Sequence, residues 1–174
     1  MKKILLVLLV LTVVAAGTLF FLNGKDTYDA SKYSAALSDG LKEGSTIAYT
    51  LPDQFDKSHT LNDSTQKLIL VFTKDTGHTV KEYLKAQPAD YLTKHHTSFI
   101  ADVSPMPVVI RNTFALPDLK KQHYSVALIY DKKMSEDFKK DIKTDNIVVA
   151  TLNNGKIEKV DYVKNIEELK AALQ

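Results

Sequence analysis

The chain has 174 residues, 44% of them apolar and 25% charged, which fits one globular domain and excludes wholesale disorder. Lys and Arg number 23 against 21 Asp and Glu; without Lys2 and Lys3 of the N-terminal segment the balance is zero, leaving no positive excess for nucleic acid. There is no cysteine, which excludes disulfides, thiolate catalysis, zinc–cysteine sites and iron–sulfur clusters.

Met1-Lys2-Lys3 is a short basic start, and residues 4–22 follow without a charge. As a helix this run is about 28 Å long, close to the hydrocarbon thickness of a bilayer. It exceeds the ~7–15 apolar residues of a cleaved signal peptide, because Leu19-Phe20-Phe21-Leu22 continues past the small residues Ala15, Ala16 and Gly17. The expectation is an uncleaved signal anchor, with a cleaved signal as the alternative. With Lys2 and Lys3 held inside, the rest of the chain would face outward, into the periplasm of a Gram-negative cell. Residues 23–45 read as a juxtamembrane linker, with a weak helical pattern at Tyr28, Tyr33, Leu37 and Leu41. One domain would occupy residues 46–174.

The domain opens on alternation at Ile47 to Leu51, a turn at Pro52 to Lys57 and a second extended run from His59, which predicts a β-hairpin. Leu68-Ile69-Leu70-Val71-Phe72 is a strand buried on both faces. Thr73 to Thr79 reads as a polar loop, followed by a helical stripe at Val80, Tyr83 and Leu84 that Tyr91 and Leu92 extend and Pro88 kinks. Ser98 to Val103 is a second strand. The stiff turn Ser104-Pro105-Met106-Pro107 leads to a helix carrying Val108, Ile110, Arg111, Phe114 and Leu116. Tyr124 to Tyr130 is a third strand, and Asp131 to Thr144 a charged connection whose lysines form a solvated face or meet lipid headgroups. Two alternating runs, 147–152 and 156–163, flank Asn154-Gly155, the pair that a tight hairpin turn favours. Asn165 caps a last helix with Glu168 at its third position. Hairpin, β-α-β-α-β, hairpin and helix in that order give an α/β fold: a mixed β-sheet flanked by helices, with an N-terminal β-hairpin, behind the apolar helix.

That order resembles the thioredoxin-like superfamily, in its secreted branch of peroxiredoxins and membrane-tethered thiol oxidoreductases. Thr50 to Leu61 looks like that branch's opening hairpin, Leu68 to Phe72 like the strand entering its redox loop, and Asn153-Asn154-Gly155-Lys156 with Asn165 to Leu173 like its closing hairpin and helix. Gln87 to Asp90, Ile100 to Pro107 and Phe114 to Pro117 are also similar to segments of small exported proteobacterial proteins. Some of those carry a dehydrogenase label, but no G-x-G-x-x-G follows any strand here. The chain departs from the redox families where it matters most. After Phe72, where a C-x-x-C would stand, it has Thr73-Lys74-Asp75-Thr76-Gly77-His78-Thr79. Where the resemblance implies a cis proline, just before Val126, it has Ser125. The fold is thus expected without its chemistry.

His59, His78, His95, His96 and His123 show no metal-ligand spacing, and no metal site is expected. Lys74, Asp75, Thr76, His78 and Thr79 are the candidate binding residues of the site loop: Thr76 or Thr79 as helix caps, or the loop as an anion or peptide site at the helix start. Met106 and Pro107 are candidates for a recognition turn. The expected function is a redox-inactive, membrane-tethered periplasmic module, without cofactor, that binds a periplasmic protein or peptide. The alternatives are an enzyme using Asp75 and His78 and, behind it, a flavin or haem oxidoreductase, for which no fingerprint is present.

Overall fold

The computed structural model describes residues 2–174; Met1, the first residue of the basic start, lies outside them, as do the side chains of Lys2 and Leu19. Helix α1 (Lys2–Asn23) carries the apolar run and is long and apolar enough to cross a membrane. A 3-10 turn (Ala30–Lys32) and strand β1 (Ser34–Leu37) follow, so the weak helical pattern of residues 28–41 corresponds to a turn and a strand. Strand β1 pairs with β2 (Ile47–Pro52), which alternates inward Ile47, Tyr49 and Leu51 with outward residues, and β2 pairs with β3 (Ser58–Thr60).

A five-stranded sheet forms the centre, in the order β6 (Ala127–Ile129), β5 (Thr97–Asp102), β4 (Lys67–Val71), β7 (Ile147–Asn153), β8 (Lys156–Val163). Strands β4, β5 and β6 are parallel, and β7 and β8 return antiparallel. The middle strand β4 is fully apolar after Lys67 because both its faces are covered. Ile69 and Val71 meet helices α2 (Lys74–Lys85) and α7 (Ile166–Leu173) on one face. Leu68 and Leu70 meet β2 and helix α6 (Lys132–Lys139) on the other. The two parallel crossovers, through α2 and through the segment after β5, lie on the α2 face, as two consecutive crossovers of one hand require.

Four local expectations change. Helix α2 begins at Lys74, so most of the expected polar loop is its first turn; packing of Thr76, Val80, Tyr83 and Leu84 outweighs the poor helix propensity of Thr, Asp and Gly. It ends at Lys85, and Tyr91–Lys94 form a separate short helix α3 beyond Pro88. The charged connection contains helix α6, capped by Asp131 and held by Phe138, whose side chain is fully buried. The strand expected from Tyr124 shortens to β6, because the Gln54 side chain, 2% exposed, takes the backbone of the segment before it. Gln54 Nε2 donates to Tyr124 O (2.8 Å), and Val126 N donates to Gln54 Oε1 (2.9 Å).

After β5 the chain runs through α4 (Val108–Ile110), a π turn (Arg111–Ala115) and α5 (Leu116–Leu119) without a break. Pro117 has no N–H to give to Thr113 O, and its ring crowds that carbonyl; the wider turn before it relieves both.

The closing hairpin forms as the sequence predicts: Asn153 faces Lys156, and Asn154 (φ 48°) and Gly155 (φ 75°) are left-handed. A side chain on Gly155 would also meet Ile47 O at 3.1 Å, since this turn receives the start of β2. Gly155→Val is therefore expected to lower stability by about 1–2 kcal/mol. An unchanged urea midpoint would show that neither the left-handed turn nor that approach matters.

Candidate functional site

The carboxyl ends of parallel β4 and β5 are the natural place for a site, because the following connections diverge there and leave a crevice. A cleft of about 540 Å³ opens at that place. Val71, Phe72, Phe99, Val103 and Tyr124 line its base. Thr73, Lys74, Gly77, His78 and Lys81 of the α2 start form one wall. Met106 and Pro107 with Ala115 and Leu119 form the other. The surface it presents is mainly apolar. Gly77 widens it, since a methyl group there would meet only Val71 Cγ2, at 3.8 Å.

Two segments singled out in the sequence, 74–79 and 106–107, thus meet across one cleft. Lys74, His78, Met106 and Pro107 line it; Asp75, Thr76 and Thr79 do not. Thr76 is buried in the helix cap. Thr73, rather than Thr76 or Thr79, is the N-cap: its hydroxyl accepts from Thr76 N (3.3 Å), and Thr73 N donates to Thr76 Oγ1 (3.3 Å). Thr79 Oγ1 instead donates to Asp75 O (3.1 Å). Thr73 and Thr76 have the spacing of a C-x-x-C pair, and their hydroxyls are hydrogen-bonded to each other at 3.0 Å. Two neutral hydroxyls, committed to one another and to the helix end, lie in the segment after Phe72, which holds no thiol. A threonine hydroxyl without an adjacent base is a weak nucleophile, and no side chain among the described residues hydrogen-bonds His78.

The far wall is stiff for a legible reason. Asp102 ends β5, and its buried carboxylate accepts from Ser104 N (3.0 Å) and Ser135 Oγ (2.6 Å), with Lys139 Nζ at 3.3 Å. This fixes the turn before Met106, whose N–H closes onto Val103 O, between two prolines of fixed φ. Lys81 and Asp118, 2.6 Å apart, tie α2 to α5 at the mouth. Burial, assisted by the charges of Asp118 and Glu82, pushes the Tyr124 phenol up to about 12, so it stays neutral in the cleft base.

The segment before β6, where the resemblance implies a cis proline, has Tyr124 O and Val126 N already bonded to Gln54. Ser125 joins a small cluster: Ser125 Oγ donates to Asp53 Oδ2 (3.1 Å), and His59 Nε2 lies 2.9 Å from that oxygen and 3.4 Å from Ser125 Oγ. Serine and carboxylate address the same ring nitrogen, whereas a proton relay needs them on opposite nitrogens. The cluster is a lock between the N-terminal hairpin and β6, reinforced by Phe55 N and Lys57 N donating to Asp53 Oδ1. Among the described residues no three His, Asp or Glu side chains gather as metal ligands would.

One strongly placed residue stood in the sequence only as a member of the helix after the Met106 turn. Arg111, the only arginine of the chain, is 3% exposed. Its guanidinium bonds Asp26 Oδ1 (2.7 Å) and lies 4.6 Å from the centre of the Tyr130 ring. Nothing local in the sequence foretells a partner 85 positions away.

Among solved structures, the chain is similar to a candidate protein disulfide isomerase of Bacteroides thetaiotaomicron, with 18% identity and a TM-score of 0.51 over 81% of this chain and 90% of that one. It is also similar to the thioredoxin domain of a thiol-disulfide oxidoreductase of Bacteroides vulgatus, with 16% identity and a TM-score of 0.50 over 78% of this chain and all of the other. No family model and no curated protein sequence matches the chain. The fold is therefore thioredoxin-like, and it carries no cysteine.

Burial works to raise the Asp53 carboxyl, but the hydrogen bonds from His59, Phe55 N, Lys57 N and Ser125 outweigh it and hold the group below the ordinary range. Its stabilising share is then complete above pH ~4 and lost as pH falls through the depressed value. Asp53→Asn should cost about 1–3 kcal/mol at pH 7 and show a shallower acid loss than the parent in urea titrations. Parallel pH profiles for the two proteins would exclude this carboxylate as an acid-sensitive lock.

Proposed function

We propose that the protein is a redox-inactive, membrane-tethered module of the periplasm that binds an extended apolar segment of another protein in the cleft between α2 and the Met106 turn. The observation that carries this reading is the chemistry of the cleft: a mainly apolar crevice at the carboxyl ends of β4 and β5, in a chain that has no thiol. An apolar crevice open to solvent favours a docked side chain or two, with Lys74 and His78 at the rim to fix direction. A site for general-base catalysis by His78 calls for a partner that orients its ring, and Asp75 lies outside the cleft. The tether is supported by α1, whose segment Lys3–Asn23 is long and apolar enough to cross a membrane.

Two measurements test the proposal. The purified full-length protein should show no disulfide reductase or thiol peroxidase turnover, because both reactions begin with attack by a sulfur anion. A photoreactive amino acid at position 106, introduced in cells, should cross-link a partner, and Gly77→Leu, which fills the cleft, should abolish that cross-link while leaving the circular dichroism unchanged. Turnover in a metal-stripped sample, or a cross-link indifferent to Gly77→Leu, would overturn the reading.

A further inference from the structure

The chain just after α1 is bound to the domain. Asn112 Nδ2 donates to Asn23 O (2.9 Å), at the end of α1, and to Lys25 O (3.0 Å). Arg111 holds Asp26, Val109 packs beside Gly24, and Tyr28 stacks on Tyr130 at 4.9 Å between ring centres. These five contacts lie within six residues of the end of α1 and fix which edge of the domain faces the membrane, given the reading of α1 as a span. That edge is the α4–π–α5 segment.

The same edge carries large apolar side chains left exposed to solvent. Beyond α1, the large hydrophobic residues left exposed are Phe55, Ile110, Phe114 and, least so, Ile166. Ile110 and Phe114, 46% and 64% exposed, stand four residues apart on the segment that holds the end of the span, and so share a side. Phe55 belongs to the turn whose Gln54 and Asp56 line the same small polar pocket as Arg111 and Asn112. Lys25 and Lys120 flank the patch with positive charge suited to phosphate headgroups. We propose that Ile110, Phe114 and Phe55 form a membrane-contacting face that inserts into the outer headgroup boundary of the bilayer α1 crosses. Its continuity with the apolar span is the reason for choosing lipid over a protein partner: the face is held at the surface by the chain that leaves the bilayer. The Met106 wall of the cleft, on the same segment, would then open close to the membrane plane.

The absence of cysteine makes the test clean, since each single-cysteine variant takes one label. Full-length protein in vesicles of phosphatidylethanolamine and phosphatidylglycerol would carry a nitroxide at Phe114→Cys, Ile110→Cys, Leu11→Cys in the span, or Lys159→Cys on β8. Labels at 114 and 110 should behave like that at 11, several-fold more accessible to oxygen than to a water-soluble nickel complex, with the label at 159 reversed. Adding Asp26→Asn should shift the label at 114 toward the nickel complex. A label at 114 open to nickel while that at 11 is embedded would overturn this face alone. One shielded from both reagents would mean a protein contact and would also overturn it. A label at 11 open to nickel would overturn the tether and this face with it.

Discussion

The end of β4 governs the molecule. A strand buried on both faces runs straight into the N-cap of α2, so Thr73 must serve at once as the last residue out of the core and the first hydroxyl of the helix. Its exchange of hydrogen bonds with Thr76 closes the helix start with groups the chain itself supplies. The cleft above it keeps its shape because its walls are tied elsewhere: Asp102 holds the Met106 turn, and Lys81 reaches Asp118.

The cleft is therefore kept in a chain that has no thiol to act within it. Gln54 and Ser125 extend the same pattern to the segment before β6. Its backbone, open in principle to a visiting strand, is bonded to Gln54 inside the molecule. On the proposed reading, recognition rests on side-chain burial in the cleft rather than on backbone pairing, which favours a partner defined by apolar residues.

Legibility in the sequence followed locality. The Asn154-Gly155 hairpin, the apolar run of β4 and the Asn165 cap with Glu168 each rest on a few adjacent residues, and each is present. Helix α2 was hidden because Thr-Lys-Asp-Thr-Gly-His-Thr is a poor helix former that only burial of Thr76 and Val80 rescues. Helix α6 was hidden because Met134 and Phe138 are its few apolar markers among charges. The site was half legible. Residues 74–79 and 106–107 stood out by type, but their meeting across β4 and β5 needs the sheet order, and the partnership of Arg111 with Asp26 needs the whole fold.

The central claim is that the cleft binds apolar peptide segments without chemistry. Selection of random peptides against the full-length protein in lipid nanodiscs tests it most directly, with Gly77→Leu as the counter-target. The account predicts peptides enriched in large apolar residues that bind the parent at least ~10-fold more tightly than Gly77→Leu, a difference of about 1.4 kcal/mol. Peptides that bind both proteins equally, or a selection that yields none above background, would contradict it.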